Sequence, residues 1–153
     1  MPKSRIIRDV CSLLQSQLEI MQTAAKEARH NATGDETRSE GKYDTRAIEA
    51  AYLAGAQSLQ AERIASAINS LQNFEPPACQ MQEAVRLGTL VETEQEGQIV
   101  FYLLAPAGGG YTVEHEGFDC TVLAPESPLY QNLLGARAGD VFDSMSLLVL
   151  GVS

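Results

Sequence analysis

The run Ser127-Pro128-Leu129-Tyr130-Gln131-Asn132-Leu133-Leu134-Gly135-Ala136-Arg137-Ala138-Gly139-Asp140 carries its own punctuation. A serine suits the position before a helix, a proline suits the first helical residue, and a glycine suits the left-handed residue that ends one. Gly139-Asp140 then reads as a turn into the apolar stretch Phe142 to Val149. The segment therefore predicts a short helix and a turn set between two strands. Working back toward Val85, the chain shows the same kind of alternation. Val85, Leu87, Thr89 and Val91 alternate with polar neighbours, Ile99 to Leu104 is a short apolar run, and Tyr111 to Glu114 and Cys120 to Leu123 are further candidate strands. Turn signals at Glu96-Gly97, Gly108-Gly109-Gly110 and Glu116-Gly117 separate them, and each reads as a hairpin turn. Residues 85–153 are thus expected to form a small, mainly antiparallel β domain with one short helix.

Upstream the period changes from two to three and four. Ile7, Cys11, Leu14, Leu18, Met21, Ala25 and Ala28 fall on one helical seam, and Ala47, Ala50, Ala54, Ala61, Ile64, Ile68 and Leu71 on a second, with Gln57 as its polar position. The polar stretch 31–43 holds Gly34 and Gly41 and lets the chain reverse. An antiparallel helical hairpin over 1–74 follows, with alanines toward the loop and larger residues at the base, so that it is slimmest near its tip. Alanines facing a second copy in an intermolecular bundle are the alternative, although a monomer is the expected state. The proline-containing stretch 75–84 reads as a linker. The fold class is α+β.

Charge divides the chain in the same place. Residues 1–72 balance nine bases against nine acids, whereas 73–153 hold two bases, Arg86 and Arg137, against eleven acids, which accounts for the net charge of −9. A half this acidic repels a phosphate backbone, so sequence-specific DNA binding is not expected and a protein partner is. Cys11, Cys79 and Cys120 lie far apart, and with two histidines, His30 and His115, they offer no metal-ligand set. No signal-peptide core follows the basic N-terminus and no run is long enough for a membrane span, so a cytoplasmic location is expected. No nucleophile triad, phosphate-binding glycine loop or zinc motif is legible, and no catalysis of its own is expected.

The Ser-Pro-Leu, Leu-Leu-Gly and Gly-Asp elements of residues 127–140 resemble, in register, the C-terminal signature of the Gre-type bacterial transcription elongation factors, GreA and GreB. The order of a helical hairpin followed by a compact domain is similar as well. This resemblance implies a C-terminal domain like that of FK506-binding proteins and RNA polymerase as partner. It also implies a hairpin that enters the polymerase secondary channel while the globular domain grips the rim, with Ser127, Pro128, Leu129, Gly135 and Asp140 as candidate rim contacts.

Family members that stimulate transcript cleavage carry a tip motif whose two carboxylates help hold a magnesium ion shared with the polymerase active centre, since a hard cation takes oxygen ligands. The corresponding stretch here is Gly34 to Tyr43, with Asp35, Glu36 and Glu40 as the candidate acids. With Gly34-Asp35 as anchor, the second acid position falls on Arg38; with Tyr43 as anchor, the two positions fall on Glu36 and Ser39. Neither register supplies both carboxylates. Cleavage stimulation and occupation of the channel without cleavage therefore both stay open. Arg38, Lys42, Tyr43 and Arg46 are candidate contacts to the RNA 3′ end or the polymerase wall, with ion pairing inside the hairpin as the alternative for the bases. Between Tyr43 and Arg63-Ile64 the chain is about one heptad longer than the family spacing, roughly 10 Å of extra helix. A prolyl isomerase or chaperone and a structural coiled-coil adaptor are the rivals from other classes.

Overall fold

The computed structural model describes residues 2–32, 43–80 and 83–153, with the helical side chains of 3–27 and 55–72. Two long helices come first, α1 (Pro2–Ala32) and α2 (Tyr43–Gln72). Neither contains an interior proline, and α2 runs unbroken through Gly55. It ends where Pro76-Pro77 forbid continuation: Asn73 N–H donates to Asn69 O at 3.2 Å and Phe74 N–H to Leu71 O at 3.2 Å. Burial follows the expected seams. Ile7, Cys11 and Leu14 are buried, and Leu18, Met21 and Ala25 are half-buried. On α2, Ile64, Ile68 and Leu71 are buried, Ala61 is half-buried and Gln57 is exposed. The expectations for Ala28, Ala47, Ala50 and Ala54 concern side chains outside the described residues.

The chain divides into two compact units, Met1–Ser12 with Ala67–Ser153, and Leu13–Ser66. Each division falls inside a helix. The first helical turns belong to the sheet's unit because they bury a second stripe, Lys3, Ile6 and Val10, one and two turns apart. Lys3 Nζ donates to Pro77 O at 2.9 Å and to Gly88 O at 3.1 Å, giving the buried ammonium two carbonyl acceptors.

The remainder is a mixed six-stranded sheet in the order β3-β4-β2-β1-β6-β5, with one short helix. Its strands are β1 (Leu90–Gln95), β2 (Gln98–Leu104), β3 (Thr112–His115), β4 (Phe118–Leu123), β5 (Val141–Phe142) and β6 (Leu147–Val152). Every pairing is antiparallel except β2 with β4. Glu96-Gly97 and Glu116-Gly117 make two-residue turns with positive φ at both positions, the twist that closes a hairpin.

Three expectations are corrected. Gly108-Gly109-Gly110 is not a hairpin turn: it leads from β2 to β3, and β4 lies between those two strands. The stretch Phe142–Val149 is not one strand. It is the end of β5, a 3-10 turn over Asp143–Met145 and the start of β6, reversed where Ser146 takes φ +50. The alternation from Val85 does not form a strand until Leu90, because residues 87–88 make a turn with Gly88 at φ +88.

One face of the sheet is sealed. Val91, Tyr102, Leu104, Leu123, Leu147, Val149 and Val152 pack with Val85, Ala136 and, from the short helix α3 (Pro128–Leu133), Tyr130 and Leu133 in a single apolar cluster. Side chains alternate along a strand, so Glu92, Glu94, Ile99, Phe101, Cys120 and Leu148 belong to the opposite face.

Candidate functional site

The segment that resembles the Gre signature folds as one bonded unit. Helix α3 (Pro128–Leu133) starts with Ser127 in extended backbone, and Gln131 N–H donates to Ser127 O at 3.3 Å. The Ser127 hydroxyl makes no capping hydrogen bond, so the expected side-chain cap is absent and the backbone alone opens the helix. The side chain of Gln131 reaches back to Pro125 O at 2.9 Å.

Helix α3 is short because the chain must leave it at Gly135. With φ +80, a value L side chains resist, Gly135 turns its N–H to Val85 O at 2.8 Å, and Ala136 O accepts from Val85 N–H at 2.8 Å. This two-bond bridge fixes the helix to the stretch before β1. The turn beyond it closes on Asp140, whose Oδ2 accepts from Arg137 N–H at 2.9 Å. Gly139 N–H donates to Val149 O at 2.7 Å and Val149 N–H to Asp140 O at 2.9 Å, so the turn is pinned to β6.

The five candidate rim residues therefore do different things. Leu129 is half-buried and packs on the core cluster; Gly135 and Asp140 are exposed, and each shapes the backbone. Ser127 is half-buried, and Pro128 is exposed on the outer side of α3. Asn132, one turn further along α3, and Leu134, just past its end, are exposed as well, two positions that residue types alone did not single out because an amide and a leucine carry no chemical signature. An outside partner can reach Pro128, Asn132 and Leu134 directly.

At the other candidate site, Asp35, Glu36, Arg38, Glu40 and Lys42 lie outside the described residues. Tyr43 and Arg46 lie in the first turns of α2, with their side chains outside the description. Nothing here brings the three acids together or separates them.

The cysteines are free thiols. Burial pushes the Cys120 thiol up to about 12 and raises that of Cys11, which keeps both protonated and unreactive at neutral pH. Among the described residues no cluster of histidine, cysteine and carboxylate side chains could hold a metal ion, and no helix is long and apolar enough to cross a membrane.

No protein-family model matches the chain, and no curated protein does. Two solved structures are similar to it over most of their length. One is GreA factor homolog 1 (Gfh1) of Thermus thermophilus, with 19% identity, 94% of each chain covered and a TM-score of 0.36. The other is Gfh1 of Thermus aquaticus, with 23% identity, 92% of each chain covered and a TM-score of 0.34. Superpositions this loose leave the functional reading to the chain's own residues.

Proposed function

We propose that this protein regulates transcription elongation by binding RNA polymerase, with its helical part entering the secondary channel and the α3 side of its sheet domain seated on the channel rim. The observation that supports this most is the Ser127–Asp140 segment. It resembles the Gre signature in register, and it forms one bonded unit with an exposed outer side at Pro128, Asn132 and Leu134. Two helices of 31 and 30 residues, about 45 Å each at 1.5 Å per residue, supply the reach that a channel requires.

The test is competition. Full-length protein is added to polymerase carrying a labelled standard Gre factor, and displacement at micromolar concentration is expected. The Pro128→Glu/Leu134→Glu variant is expected to displace at least tenfold less well. Failure of the native chain to associate with polymerase at all would remove the proposal.

Two modes of action follow from the tip. In one, Asp35 with Glu36 or Glu40 supports cleavage of backtracked RNA, the carboxylates contributing oxygen ligands toward magnesium in the polymerase active centre. In the other, the protein occupies the channel without promoting cleavage. The second is favoured by Arg38, which stands where one register requires an acid. A stalled-complex assay separates them: equal cleavage by the native chain and an Asp35→Ala/Glu36→Ala/Glu40→Ala variant leaves the non-cleaving mode. A prolyl-isomerase activity is disfavoured because the aromatic residues do not converge. Tyr102 and Tyr130 sit in the core cluster, whereas Phe101 and Phe118 lie on the opposite face of the sheet.

A further inference from the structure

The sheet face turned away from α3 carries a row of side chains that its own fold covers only in part. Val141 lies opposite Leu148, Leu148 opposite Glu94, and Glu94 opposite Ile99. The β2–β4 register, with Phe101 beside Cys120, sets Ile99 beside Phe118, and Phe118 lies opposite His115. Directly paired residues share a face, so this is one line across all six strands. Five spacings of about 4.8 Å make it roughly 24 Å long.

Its end at β3 is packed. The Phe101 and His115 rings meet edge to face at 5.0 Å, and Phe118 lies over Phe101 at 6.0 Å. Even so Phe118 is 44% exposed; Ile99 and Leu148 are half-buried, Val141 at the far end is 59% exposed, and Leu150, beside the row at the register shift in β6, is 38% exposed. Apolar side chains left wholly or partly in water along one sheet face mark a place where something binds.

The charges say what kind of partner. Glu94 sits within the row and Glu92 one step along the same strand and face, half-buried and level with Phe101 and Gly151. Glutamate is a poor strand former, and β1 is an interior strand. No lysine or arginine among the described residues forms a salt bridge with either; the unit's Arg86 pairs with Glu83 instead. Two carboxylates with no cation paired to them among the described residues, flanked by leucine, isoleucine and phenylalanine, contribute little to folding and present a negative centre in a partly apolar strip.

We infer that this face is a docking surface for a basic amphipathic helix of a partner protein, whose apolar stripe covers the row while its lysines or arginines meet Glu92 and Glu94. A helix of about 16 residues matches the 24 Å row. Nucleic acid is repelled by the same carboxylates, and a second copy of this chain would set Glu94 against Glu94. The surface lies on the side of the sheet away from Pro128 and stands independently of the polymerase reading.

The probe is a synthetic amphipathic peptide of leucine and lysine at helical spacing, titrated into the full-length protein with amide shift mapping and calorimetry. Saturable binding is expected, with the largest shifts at Ile99, Phe118 and Leu148, and no binding of the peptide in which glutamate replaces lysine. Glu94→Lys/Phe118→Ser is expected to weaken binding at least tenfold. Glu114→Lys/Asp119→Lys, which removes more negative charge on the opposite face, is expected to change it less than twofold. Absence of binding, shifts confined to the α3 side, or equal losses in the two double variants would overturn the inference. So would sedimentation showing a dimer that Phe118→Ser dissolves.

Discussion

The two faces of one sheet have opposite economies of side chains. On the α3 face every inward position is apolar or satisfied: Thr93 Oγ1 donates to Val100 O at 2.7 Å, and the Tyr102 hydroxyl donates to Gln95 Oε1 at 3.2 Å. On the other face buried residues gather toward one end, where Leu103 and Val122 lie in strands leading to the helix-packed loop at Gly108, and the rest meets water. The same strands supply both faces, so propensity does not distinguish them. What distinguishes them is the presence of a covering element, and an uncovered apolar face with acids in it is better explained by a partner than by folding.

The largest loss is expected on the sealed side. Leu133→Ala removes a fully buried anchor of α3 and is expected to cost about 3 kcal/mol in urea denaturation, whereas Leu148→Ala on the open face is expected to cost less than about 1 kcal/mol. Comparable losses would mean the open face is core after all. Next comes Gly108→Ala, at about 2 kcal/mol: φ is +77, and a Cβ there would stand 2.9 Å from Leu71 Cδ1 and 3.3 Å from Val10 Cγ1. Gly135→Ala has a similar φ of +80 and nothing within 4 Å, so it is expected to cost about 1 kcal/mol; the difference between the two melts isolates the packing of the glycine loop against the helices.

Lys3→Met is expected to lose about 1.5 kcal/mol by leaving the Pro77 and Gly88 carbonyls without their donor. Alkaline titration probes the open face from beneath. The Cys120 thiol has its pKa raised from 9.0 to about 12 by burial, so the folded state keeps a proton that the unfolded state releases. Stability from this group is intact below pH about 9 and falls between about 9 and about 12, by on the order of 1 kcal/mol per pH unit. Cys120→Ala is expected to flatten that slope. Smallest is Phe118→Ser, within about 0.5 kcal/mol of the native chain in the same melts, as befits a side chain whose use lies outside the fold.

Much of this was legible from residue types, for definite reasons. The helical seams, the short helix after Ser127 and the two Glu-Gly hairpin turns are local, and their signals lie within a few residues of the structure they cause. What was not legible depended on distant partners. Lys3, Ile6 and Val10 become a stripe only once the Gly88 carbonyl and the Gly108 loop lie against them. The triple glycine suggested a hairpin because nothing local shows that β4 lies between β2 and β3. The split at Ser146 required a non-glycine residue in left-handed backbone, which residue type argues against. At the candidate site, the backbone roles of Gly135 and Asp140 were readable from their types, while the open row spans six strands and exists only after pairing. The tip acids, by contrast, are known from the sequence alone.

The placement of β6 bears on how the chain is made. β1 is synthesised early in the domain, yet one of its two flanks is filled only by β6, with Val91 beside Val152. Until that strand leaves the ribosome, the nascent domain carries a bare, valine-containing strand edge that any neighbouring chain could extend. Slow translation, or premature arrest before Leu147, is therefore the stage at which this protein is most open to aggregation and most in need of a chaperone.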